Sequence, residues 1–135
     1  MSGFDAQVPF NFDWSAKFTP TSVANPQFQA SGSIGFTATK RMPGQPITVP
    51  PNGVVEVDFT KFGFTQSDFV IIQTITPGKP MGLKFNNSTD VLVFRPLPND
   101  NQATFMGSAN LQKVNIVNSD VSNPLDVIVL GVQFS

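Results

Sequence analysis

The chain has 135 residues, enough for one domain that buries about two thirds of the surface its unfolded form exposes. Charged residues make up only 13% and nearly cancel at −1. There is no basic stripe of the kind that nucleic acid or an anionic membrane requires, so neither is expected as a partner. With no His, Cys or Tyr, the chain lacks the usual zinc and copper ligands, the commonest general base and the commonest activated nucleophile. No cofactor or metal is expected and the composition points away from an enzyme, though a carboxylate pair alone could still run glycosidase-type chemistry.

The first element is a ribbon of period two. Phe4, Ala6, Val8, Phe10, Phe12, Trp14, Ala16 and Phe18 alternate with Asp5, Gln7, Asn11, Asp13, Ser15 and Lys17, broken only by Pro9. Such a chain is extended, with one dry face and one wet face. At about 3.3 Å per residue it would span roughly 50 Å, longer than most single strands. Two readings stand side by side: the first strand of the chain's own core, or an arm that lies on a neighbouring subunit. Pro9 cannot donate to a ladder, so either way one side of the strand must be free. Residues 19–31, with Pro20 and Pro26 and little apolar content, read as a linker and favour the arm. As an arm it would engage a neighbour through Phe4, Val8, Phe10, Phe12, Trp14 and Phe18. The expected organisation is an extended arm and linker over 1–31 and a β domain over 32–135. The polar, acidic start carries no secretory signal, and no apolar run reaches the ~18 residues of a membrane span.

No stretch keeps the spacing of an amphipathic helix free of the 12 Pro and 10 Gly. A strand is predicted at 33–39, with Ile34, Phe36 and Ala38 on one face. A turn follows at Arg41–Pro46 around Pro43-Gly44, with Lys40-Arg41 a solvated pair before it. Ile47–Val49 is a short strand stopped by Pro50-Pro51 and Asn52-Gly53. Val55, Val57 and Phe59 alternate with Glu56 and Asp58 in a half-exposed strand. Phe69–Ile72 is apolar on both faces, which predicts a central strand or a subunit contact. Met81, Leu83 and Phe85 alternate up to the Asn86-Asn87 turn. Val91–Phe94 reads as a second doubly apolar strand, halted by Pro96 and Pro98. Segments 102–106, 111–117 and 125–134 complete about nine strands, leaving no room for helical crossovers.

The expected fold is therefore all-β, a two-sheet antiparallel sandwich, with a jelly roll preferred over an immunoglobulin-like order because no Cys–Trp–Cys pattern exists. The 14 Phe are expected to build its core. The overlapping sequons in Asn86–Thr89 read as a polar turn. Asp90, Asp100, Asp120 and Asp126 could gather around calcium only if loops brought them together, since they lack the spacing of a calcium loop. Gly32–Gly35 lacks the length and the Lys of a phosphate loop and reads as a strand start.

Residues 111–134, an apolar strand, an Asn/Ser turn and then Pro124-Leu125-Asp126-Val127-Ile128-Val129-Leu130-Gly131, resemble the closing strands of small bacteriophage structural proteins with a single jelly roll. Ile47–Asp58 is similar to their middle hairpin. The resemblance is to vertex (penton-type) or decoration proteins and covers about a third of the chain. It implies a virion component acting as a cyclic homo-oligomer that docks on a major capsid protein. The alternative is a lectin-like carbohydrate-binding module using Trp14 with loop Asn and Asp; a carboxylate-only hydrolase is the third reading.

Overall fold

Alternation of apolar and polar residues, cut by Pro and Gly, produces strands throughout the computed structural model, which describes residues 8–18, 28–97 and 100–134. In chain order they are β1 (Val8–Phe18), β2 (Phe28–Val49), β3 (Val54–Asp58), β4 (Ser67–Thr74), β5 (Met81–Phe85), β6 (Leu92–Phe94), β7 (Thr104–Leu111), β8 (Lys113–Val117) and β9 (Leu125–Phe134). A single 3-10 turn, Phe59–Phe62, follows β3. Asp58 caps it by accepting from the Thr60 N–H at 3.0 Å, and Gly63, at φ 87°, ends it in the left-handed conformation that suits glycine.

The strands form two antiparallel sheets, one in the order β1-β2-β9-β4-β7 and the other β3-β8-β5-β6. From β2 onward the pairing is nested: β2 with β9, β3 with β8, β4 with β7, β5 with β6. This is a long hairpin wound over itself, within the expected all-β antiparallel sandwich. An immunoglobulin sandwich instead keeps its third, sixth and seventh strands in one sheet.

Between the sheets lie Val49, Val70, Ile72, Val127 and Val129 from one side and Val57, Met81, Leu83, Val114 and Ile116 from the other, all buried. Phe59 and Phe64 stack at 5.9 Å and close one end. The interior is thus mostly aliphatic, which corrects the expectation of a phenylalanine core. Phe10, Phe12, Phe18, Phe28 and Phe36 belong to β1 and the first half of β2, and Phe85, Phe94 and Phe105 only border the core. β-Branched residues fill the narrow gap between sheets with few rotamers to lose.

Two local expectations are also corrected. Residues 28–31 are strand rather than linker, so β2 runs through the expected boundary at residue 31. No turn forms at Pro43-Gly44; β2 continues and absorbs one extra residue between the pairs Met42–Gly131 and Gln45–Val129. A bulge tolerates this because β1 pairs no further along β2 than Ala38, so Pro43 and Pro46 lie on a free edge where a missing N–H breaks no bond. Val91–Phe94, the second doubly apolar segment, contains the short edge strand β6. The two other doubly apolar segments, β4 and β9, do occupy the middle of the five-stranded sheet.

Candidate assembly surface

β1 and the first half of β2 pair over eleven residues each, from Val8 opposite Ala38 to Phe18 opposite Phe28. β9 reaches β2 only as far as Ala38, opposite Phe134. Among the described residues, then, 28–37 have β1 as their only strand partner. The result is a two-stranded ribbon, roughly 35 Å long at strand spacing, beyond the residues of β2 that β9 pairs.

Its register makes it amphipathic. Directly opposed residues share a face, so Val8, Phe10, Phe12, Trp14, Ala16 and Phe18 are level with Ala38, Phe36, Ile34, Gly32, Ala30 and Phe28. The other face carries Asn11, Asp13, Ser15 and Lys17 against Gly35, Ser33, Ser31 and Gln29. On β2 the indole of Trp14 lies across Gly32. A Cβ at Gly32 would stand 2.5 Å from the Trp14 ring nitrogen, so only glycine leaves room.

One residue ties the ribbon to the sandwich. The Phe12 ring meets that of Phe69 at 4.9 Å and 59°, a tilted geometry favoured by the ring quadrupoles. Val70, Ile72 and Thr74 point inward, so Phe69 stands on the outer face of the five-stranded sheet, opposite Val132. Val132 is buried there although it too faces outward, so this corner is covered. Farther along, the ribbon loses that support: Trp14 is 37% exposed and Ala16 is exposed.

Of the six residues expected to form an arm, Phe4 lies outside the described residues. Val8, Phe10, Phe12, Trp14 and Phe18 all fall on the ribbon's apolar face by register. β1 is an edge strand of the chain's own sheet, paired along its length with β2. Sequence reasoning missed Gly32 as the seat of Trp14 and Phe69 as the anchor of Phe12. The signal for Phe69 was present, since a strand apolar on both faces needs cover on both.

A second cluster sits at one end of the sandwich. Asn118, buried, donates to the carbonyls of Val49, Pro50 and Asn123 at 3.3, 3.2 and 2.9 Å. Asp120 accepts from Lys79 Nζ at 2.6 Å and from the N–H groups of Ser122 and Asn123. The Lys79 ammonium first, then those N–H groups, hold the Asp120 carboxyl well below its ordinary range. Gly78, Lys79, Pro80 and Ser119 complete a cleft of about 230 Å³ around them. Its one cation is neutralised by its one anion, so it works as a loop clasp.

Of the four aspartates considered for calcium, Asp120 is held by Lys79 and Asp100 accepts from the Gln102 N–H at 3.3 Å. Asp126 accepts from Thr48 Oγ1 at 2.6 Å, and among the described residues no three His, Cys, Asp or Glu form a metal-holding group. Asn86, the first sequon residue, is a turn residue at φ 53°; its side-chain oxygen accepts from the Gln112 N–H at 2.8 Å and its amide donates to the Asn110 carbonyl.

No family model and no curated protein matches this chain. Among solved structures it is similar to a protein of Ralstonia eutropha JMP134 provisionally assigned as a mannose-6-phosphate isomerase. The identity is 13%, the match covers 73% of each chain, and the TM-score is 0.33. A likeness of that size carries no argument about activity.

Proposed function

We propose that this protein is a bacteriophage structural protein, a vertex (penton-type) or decoration component of the capsid, and not an enzyme. It acts by associating with copies of itself in a closed ring and by docking on a major capsid protein within the virion. The observation that carries this reading is the ribbon. Its register gathers apolar residues on one face, with Trp14 and Ala16 exposed on it. Exposed aromatic area on an edge ribbon fits a partner that covers it on assembly. The nested strand order and the lack of His and Cys are in keeping with a shell component. The carbohydrate-binding alternative has less support, because Ala16, Ala30 and Gly32 around Trp14 supply no polar rim for a sugar.

Two exposed neighbours on opposite faces of β1 test it. Ala16→Asp puts a carboxylate on the apolar face, where burial against a partner would cost several kcal/mol, roughly a hundredfold or more in affinity. Ser15→Asp puts the same charge on the polar face. Sedimentation velocity of the full chain should show a concentration-dependent oligomer that Ser15→Asp keeps and Ala16→Asp loses. A wild-type protein that stays monomeric at every concentration, or equal loss in both variants, would refute self-association through this face.

A further inference from the structure

We infer that Asn52 is a site of covalent modification, deamidation by its own backbone, and that the loop clasp at residues 118–120 sets the rate. The inference does not depend on the shell-component reading. Asn52-Gly53 is the one Asn-Gly pair in the sequence. In this reaction the backbone nitrogen of Gly53 attacks Cγ of Asn52 and gives up its proton. The Cγ–Nδ2 bond breaks, ammonia leaves, and a cyclic succinimide closes. Water then opens either carbonyl of the ring, leaving an aspartyl or an isoaspartyl residue at position 52. A side chain on the following residue would crowd the attack, and glycine has none.

The fold itself imposes this labile pair. Pro50 to Gly53 is a turn closed by the Gly53 N–H, which donates to the Pro50 carbonyl at 3.0 Å, with Asn52 at φ 52° in its third position. Positive φ at that position favours Gly or Asn. A Cβ on Gly53 would stand 2.6 Å from Pro50 Cγ and 2.9 Å from the Pro50 carbonyl oxygen, so glycine is what fits next. Asn52 is exposed, and its side-chain amide makes no hydrogen bond among the described residues. Other asparagines are less open to attack. Both polar side-chain atoms of Asn86 are bonded, Asn118 Nδ2 serves three carbonyls, and the exposed Asn87 precedes Ser88.

What restrains the reaction is the clasp. The Asn52 N–H donates to the Asp120 carbonyl at 2.7 Å, and the Gly53 carbonyl accepts from the Asn118 N–H at 2.9 Å. Asn118 Nδ2 also donates to the Pro50 carbonyl that receives the Gly53 N–H. The attacking nitrogen is thus committed, and the backbone on both sides of it is fixed. It reaches Cγ only when this loop opens locally. Lys79 keeps the loop shut by holding Asp120.

To test this, the full chain is incubated at mildly alkaline pH and position 52 is followed by peptide mass spectrometry, with enzymatic methylation to report the isoaspartyl product. Position 52 should convert before any other asparagine, and several-fold more slowly in the folded wild type than in urea. Asn118→Ala should raise the folded rate several-fold, and Lys79→Ala, the milder change, should raise it less. Gly131 meets Phe59 and Ser67 rather than the turn, so Gly131→Ala should leave the rate near that of the wild type while the protein stays folded. Earlier conversion at another asparagine, equal rates folded and in urea, or clasp variants no faster than Gly131→Ala would each overturn the proposal.

Discussion

The Phe12–Phe69 contact decides how firmly the ribbon is held by its own chain, and a double-mutant cycle measures it. Both rings are half-buried, so truncating either forfeits about half the 3–5 kcal/mol of a fully buried Phe→Ala change, roughly 1.5–2.5 kcal/mol. Their separation of 4.9 Å and tilt of 59° predict a further coupling of about 0.5–1.5 kcal/mol beyond the buried area. Phe12→Ala, Phe69→Ala and the double variant are compared in the Ala16→Asp background, which keeps association from making the melting temperature depend on concentration. A chain of this size shifts by about 3–5 °C per kcal/mol, so each single change should lower Tm by about 5–12 °C. The double variant should be milder than the sum by the coupling energy. Additivity within about 0.3 kcal/mol would show that the rings do not bear on each other, and the docked root of the ribbon would be refuted.

Gly131 lies beneath the buried Phe59 ring, where a Cβ would stand 2.7 Å from its Cε1, so Gly131→Ala should destabilise by about 1–3 kcal/mol in urea unfolding. Asn118→Ala leaves the carbonyls of Val49, Pro50 and Asn123 without that donor and should cost about 1–3 kcal/mol in the same assay. Asp120 is held charged in the folded state by Lys79. Its contribution is therefore complete above the unfolded carboxyl's range and is lost as pH falls through the lower folded value. Between about pH 5 and about pH 2, Asp120→Asn should lose less stability than the wild type in parallel thermal melts, and an equal loss would count against the clasp.

Much of the fold is legible in one dimension because a strand advertises its two faces by alternation. Val55, Val57 and Phe59 against Glu56 and Asp58, or Met81, Leu83 and Phe85, carry inside and outside in their spacing. Turn chemistry is equally local: Asn52 and Asn86 adopt positive φ where the sequence places a turn. Pro43-Gly44 misleads for a related reason. The same dipeptide serves a turn or an edge bulge, and only the neighbouring strand decides which.

The even-numbered apolar run from Phe4 to Phe18 determines by itself that an extended, one-sided element exists and that it wants cover. What it pairs with is a tertiary matter, because register depends on residues 28–38 and on where β9 stops, at Phe134. Doubly apolar runs show the same division. Phe69–Ile72, Val91–Phe94 and Val127–Leu130 look alike in sequence, yet two lie mid-sheet and one on an edge. Composition sets how dry a strand wishes to be, whereas its neighbours, brought together by nested pairing across the whole chain, decide whether that wish is met inside one molecule or left for another to meet.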